Sequence, residues 1–182
     1  MPKSVYKLLR SLWGPVASDT SGVAGIEFCV VSGVLMIGLL NGIEFARWYY
    51  QKMEMTNAVH SASYAVWKAC DSKMLPAKTN CPGLTNAITN AVQSTSLGTS
   101  VTLTSGYPTE AYYCVNSTGV LTQVSTISSK PADCTAVGDT THAPGDYVVV
   151  AASYTYSPLF STITIGGHLP TAMTSTAYMR LM

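Results

Sequence analysis

From Val23 to Phe45 the chain is almost uninterrupted apolar, VAGIEFCVVSGVLMIGLLNGIEF. At about 1.5 Å of rise per residue, this run in helical form matches a bilayer core of roughly 30 Å. The helical pattern does not stop where the run stops. Met55, Val59, Ala62, Val66 and Ala69 recur at spacings of four, three, four and three, which is one face of an α-helix. Neither Pro nor Gly interrupts Ile43 to Met74, and Pro76 ends the pattern. The expectation is a single helix from about Val23 to about Asp71, roughly 70 Å long. Globular helices are far shorter. The length makes sense where the first half spans a membrane or fibre core and the second half packs on a head.

Leu84 to Ser96 predicts a weaker helix, with Leu84, Ala87, Ile88, Ala91 and Val92 on one side. Beyond it the period changes to two. Val101 and Leu103 alternate with threonines, and Val148, Val150, Ala152, Tyr154 and Tyr156 share a face of the longest predicted strand. Ile163 and Ile165 again alternate with threonines, and Met173, Ala177, Met179 and Leu181 share a face at the end. Such alternation predicts antiparallel strands with one face buried and one wet. Asn116 to Gly145, rich in Ser, Thr, Gly and Asp, reads as loop. Helix first and sheet afterwards predicts an α+β fold.

Composition narrows the class. The chain has 182 residues, 47% hydrophobic and only 10% charged, with a net charge of +1. Its mean hydropathy is +0.24. That near-neutral balance excludes a cytosolic nucleic-acid binder, and the apolar content excludes a disordered chain. Lys3, Lys7 and Arg10, against the single acid Asp19, precede the apolar run. Basic residues on that side predict a cytoplasmic N-terminus and export from Arg47 onward, with Trp48, Tyr49 and Tyr50 as an interfacial aromatic belt. A cleaved signal peptide needs small residues at −3 and −1 behind the run, and NGIEFARWYY offers no such pair. A plain uncleaved anchor leaves one residue without a purpose.

That residue is Glu27. A carboxylate at bilayer depth costs a few kcal/mol even on gentle scales and marks function by default. No Lys or Arg lies within one helical turn of it. Cleavage after Gly22 would create an α-amino group on Val23, four residues away, able to pair with Glu27 of its own chain or of a neighbour. The stretch Gly22-Val23-Ala24-Gly25-Ile26-Glu27-Phe28 resembles the prepilin-peptidase site of type IV pilins in the Tad (Flp-type) branch. With Gly42-Ile43-Glu44-Phe45-Ala46-Arg47, Thr56-Asn57-Ala58-Val59 and Ala62-Ser63-Tyr64-Ala65, it resembles the TadE-like minor pilin (pseudopilin) family. The likeness covers Gly22–Ala69 and, more loosely, the closing strands from Tyr147 to Tyr156 and from Thr174 to Arg180. His60 and Ser61 depart from the charged residues common at that place.

The resemblance implies a type IV pilin-like α+β fold, its long N-terminal helix packed on an antiparallel sheet. It implies a leader over 1–22, cut at Gly22–Val23, an apolar helix over 23–46 and an extracytoplasmic head over 47–182. Glu27 and Phe28 become assembly residues. The implied partners are major and minor pilin subunits met through the helix, the prepilin peptidase, and inner-membrane lipid before assembly, with no nucleic acid. The implied place is the inner membrane, single-pass, then the extracellular pilus.

Four of the five cysteines lie in the exported part: Cys70, Cys81, Cys114 and Cys134. They allow three pairings, and proximity in sequence favours Cys70–Cys81 with Cys114–Cys134. A zinc site is the alternative, though no C-x-x-C occurs. Cys29, in the apolar helix, reads as a small hydrophobe. His60, His142 and His168 share no metal-ligand spacing, while Asp139, His142 and Asp146 cluster as a candidate cation loop. Gly38 and Gly42 form a G-x-x-x-G pair able to let helices approach. No G-x-S-x-G, Walker loop or dinucleotide turn occurs, so we expect no enzyme, cofactor or resident metal. The competing functional reading is a single-pass anchored periplasmic binding or adhesin module, which predicts no cleavage after Gly22. An anchored hydrolase lacks a nucleophile–base arrangement.

Overall fold

The computed structural model describes residues 20–70 and 73–182. The basic leader residues Lys3, Lys7 and Arg10, and Asp19, lie outside the described residues, as does Asp71. Helix α1 runs Thr20–Ala69 over 50 residues, as the two halves of the hydrophobic pattern predicted. Two short helices follow, α2 at Ala77–Asn80 and α3 at Leu84–Val92. The strands are β1 Thr102–Leu103, β2 Thr109–Val115, β3 Leu121–Thr126, β4 Gly145–Thr155 and β5 Ala172–Arg180. A long N-terminal helix followed by a five-stranded antiparallel sheet is the α+β, pilin-like architecture expected.

The chain divides into two compact units. One holds α1 as far as Ala46 together with Pro158–His168, and the other holds Arg47–Ser157 and Leu169–Met182. In the second, β4 is the central strand. It pairs with β5 along one edge, from Tyr147↔Arg180 to Thr155↔Ala172. Its other edge is shared between β2, opposite Gly145 to Val149, and β1, opposite Ala152 and Ser153. The core lies between this sheet and the helices. Met55, Val59, Ala62 and Val66 of α1 and Leu84, Ile88 and Val92 of α3 pack with Val148, Val150, Ala152 and Ala177. Each fully buried Val, Leu, Ile or Met side chain contributes roughly 1.5–3 kcal/mol. Polar ties reinforce the packing: Glu54 accepts from the Ser96 amide and hydroxyl, and Tyr154 donates to Gln51. Arg47 donates to the Ser157 carbonyl and Trp48 to that of Pro170.

Three strand expectations change. The second face of β4 is not wet, because Val149 is buried there with Ala111 and Tyr113 of β2, a strand the sequence pattern did not predict, among Tyr107, Leu121 and Tyr147. Tyr113 sets its ring edge-on to both Tyr147 and Tyr178, with centroids 5.7 Å apart in each pair. Within the Asn116–Gly145 loop lies a strand, β3, joined to β2 by a turn in which Gly119 takes φ +81° and Asn116 accepts the Thr118 and Val120 amides. Ile163 and Ile165 stand in a turn and a 3-10 helix (Ile165–His168), not in a strand.

Cys70 bonds to Cys81 and Cys114 to Cys134, with Cα–Cα distances of 5.4 and 5.8 Å. This is the pairing that sequence proximity favours, and the zinc alternative falls. Cys29 is free and exposed. Thiol labelling of denatured, unreduced protein should therefore modify Cys29 alone. Replacing Cys114 and Cys134 by serine should lower unfolding stability by about 3 kcal/mol in the chain-entropy account of a loop this size, read from urea midpoints.

Candidate functional site

From Val23 to Leu39, α1 carries exposed apolar side chains around the helix. Val23, Ile26, Phe28, Val30, Val31, Val34, Leu35 and Leu39 are all exposed, Phe28 by 73%. The helix is long and apolar enough to cross a membrane. Within it, Gly22 and Val23 lie in its first turn, and Glu27 follows Val23 by about one turn on the exposed surface. Nothing stands within 4 Å of where a Cβ would sit on Gly38 or Gly42, so the G-x-x-x-G pair leaves an open groove.

A second carboxylate in the same helix behaves differently. Glu44 is fully buried. Its two oxygens accept the Leu159 amide, at 3.1 and 3.2 Å, and one turn earlier Asn41 accepts the Ile165 amide at 2.7 Å. Residues three apart share a helix face, so Leu159 and Ile165 are both held on one face of α1. Gly166 comes so close that a Cβ there would lie 2.8 Å from the Glu44 Cγ. Thr164 closes the turn, its hydroxyl bonding the Phe160 carbonyl and accepting the Gly166 amide. In the sequence, Glu44 stands within Gly42-Ile43-Glu44-Phe45 with no role assigned to it. The signal was present: Glu44 lies in the same apolar run that made Glu27 notable.

In the other unit, Tyr113, Tyr147, His142, Asp139 and Arg180 line an open cleft of about 430 Å³ beside Cys114 and Cys134. Asp139 accepts from the Thr141 amide and hydroxyl and faces the Nδ1 of His142 at 2.7 Å. The Thr141 hydroxyl, foremost, holds its carboxyl well below the usual carboxylate range. The proposed cation loop thus meets internal donors, and among the described residues no group of three or more His, Cys, Asp or Glu is arranged for a metal ion. His60 is exposed on α1.

Two buried carboxylates shape the same unit. Glu110 on β2 accepts the Ala77 and Lys78 amides at 2.8 and 2.7 Å, capping α2. Asp146 is buried at the start of β4 opposite Tyr112, and its Oδ1 has no hydrogen-bond partner. Burial first, and then repulsion from Glu110, pushes its carboxyl up to about 6, against a partial pull from Lys130. A raised carboxylate favours the folded state below its unfolded value of about 4, and that advantage is lost as pH rises through 6. Asp146→Asn should therefore gain stability relative to the parent chain as pH climbs from 4 to 7. Paired urea titrations at both ends of that range check it.

Comparison with known proteins gives a family match. The family described as TadE-like protein matches residues 22–63, which span Gly22, Val23, Glu27, Phe28, Asn41 and Glu44. No curated protein and no solved structure matches the chain. Over residues 22–63 the chain is thus similar to the TadE-like family, the one that its helix motifs resemble.

Proposed function

We propose that the protein is a minor pilin, or pseudopilin, that initiates, caps or decorates a Tad/Flp-type IV pilus. The observation that carries this reading is Glu27: an exposed carboxylate about one turn beyond the Gly22–Val23 bond, on a helix whose surroundings are otherwise apolar. In this reading residues 1–22 are a leader, removed on the cytoplasmic side by a prepilin peptidase. Residues 23–46 first lie in inner-membrane lipid and then enter the fibre core. Residues 47–182 form an extracytoplasmic head, stapled by its two disulfides for an oxidising compartment. When α1 leaves lipid, Glu27 pairs with the Val23 amine of an adjoining subunit. Each charge alone is costly in an apolar bundle, and their pairing removes that cost and sets axial register. The TadE-like family points to a structural, non-enzymatic role.

N-terminal sequencing of protein recovered from membranes or pili tests this directly. The mature chain should begin at Val23, and a bulky substitution at Gly22 should leave a precursor longer by the leader. Met1 at the N-terminus of assembled protein would refute the reading. The cleft lined by His142 and Arg180 favours a second one, an anchored periplasmic binding or adhesin module, in which the leader stays on.

A further inference from the structure

We propose that Pro158–His168 is a second membrane-contacting element, seated in the headgroup–acyl boundary of the leaflet on the head's side, where it covers the two polar residues Asn41 and Glu44 of α1. The inference rests on the reading of α1 as membrane-spanning. Asn41 and Glu44 fall inside the apolar run, the former about one helical turn, or 6 Å, before its end at Phe45. A carboxylate and an amide at that depth would face lipid without partners, at a cost of several kcal/mol for an unsatisfied group. The segment removes that exposure: Glu44 is fully buried beneath it and holds the Leu159 amide, and Asn41 holds that of Ile165. The covering segment then occupies the same depth itself.

Its own make-up suits that depth. No Lys, Arg, Asp or Glu occurs anywhere from Tyr147 to Met179, and His168 is the segment's only titratable side chain. Irregular backbone at membrane depth is tolerated where its polar groups are satisfied within protein. Here the amides of Leu159, Ile165 and Gly166 and the Phe160 carbonyl all have partners. Outward it shows Leu159, Ile163 and Ile165, exposed by 56%, 61% and 41%. The exposed apolar side chains of α1 up to Phe45 belong to the same compact unit. Interfacial elements commonly bury apolar side chains about 5–10 Å into the headgroup–acyl boundary, and one turn of helix falls in that range.

The test uses the full chain with Cys29→Ser, reconstituted in vesicles of phosphatidylethanolamine and phosphatidylglycerol. Single cysteines at Ile163→Cys, Val34→Cys and Thr118→Cys carry an environment-sensitive fluorophore. The Ile163→Cys label should be blue-shifted, quenched by nitroxides borne on lipid near the headgroup, and protected from aqueous iodide. The Val34→Cys label should respond to deeper nitroxides, and the Thr118→Cys label to iodide alone. Adding Gly166→Val, which forces the segment off Glu44, should return the Ile163→Cys label to water while the Val34→Cys label stays in lipid. An Ile163→Cys label as open to iodide as the Thr118→Cys label, with the Val34→Cys label still in lipid, overturns the proposal alone. Both labels in water overturn it together with the membrane-spanning reading. Protection that vanishes on dilution in lipid means a second copy covers the segment, and this too overturns it.

Discussion

Glu27→Leu is expected to be made, inserted and cleaved after Gly22, yet to leave cells without pili. In lipid the substitution removes a costly carboxylate, so the helix inserts at least as well. The leader and the Gly22–Val23 bond are unchanged, so processing continues. The defect arises only when subunits meet. The Val23 amine of the neighbour then enters an apolar bundle without a counter-charge, and stranding one member of a buried ion pair costs about 3–5 kcal/mol. A loss of that size lowers an assembly equilibrium by roughly two to four powers of ten at each such contact. Glu27→Gln should fail in the same way, because a neutral amide offers no compensating charge, while Glu27→Asp should retain part of the function. Pili are counted by electron microscopy while immunoblots follow membrane levels and leader removal. Normal piliation by Glu27→Leu at normal abundance would refute the charge-pairing mechanism. It would leave the TadE-like match over residues 22–63 untouched.

The second large effect belongs to the head. Glu110→Ala should lower stability by about 3 kcal/mol, because two bonds to a charged acceptor are lost, each worth roughly 1.5–3, and the buried Ala77 amide is left without its partner. The loss is blunted by a second consequence. Glu110 is one of the charges that raise the Asp146 carboxyl, so its removal relieves Asp146 at neutral pH. A double-mutant cycle with Asp146→Asn separates the two. Glu110→Ala should cost more on the Asp146→Asn background, where no relief remains to be gained. Equal losses on both backgrounds, in urea unfolding of the detergent-solubilised chain, would show the carboxylates to be uncoupled.

How far the fold was legible follows from where its determinants lie in sequence. The spacing of Met55, Val59, Ala62 and Val66 is local, and the structure buries all four. Strand β5 reads correctly for the same reason, with Met173 and Ala177 inward. Strand β3 was missed because LTQVST carries little apolar signal, and its pairing partner β2 supplies what propensity does not. Ile163 and Ile165 misled in the opposite sense: alternation with threonine mimics a strand, but Asn41 and Glu44 take the amides that a ladder would use. The Glu44–Leu159 bond joins residues 115 apart and Glu110–Ala77 residues 33 apart. No window on the sequence holds both ends of either. Glu27, by contrast, was noticeable from its neighbours alone.

The two disulfides close consecutive loops, of sequence separation 11 and 20, and neither encloses or crosses the other. On a chain that emerges through a membrane from its N-terminal side, thiols appear in the order Cys70, Cys81, Cys114, Cys134. An oxidase that simply joins each newly arrived cysteine to the one waiting before it produces the native connectivity, and no isomerase is required to reshuffle it. Both covalent clasps can thus be fastened before β4 or β5 has emerged, and the last strands arrive at a chain already cross-linked twice.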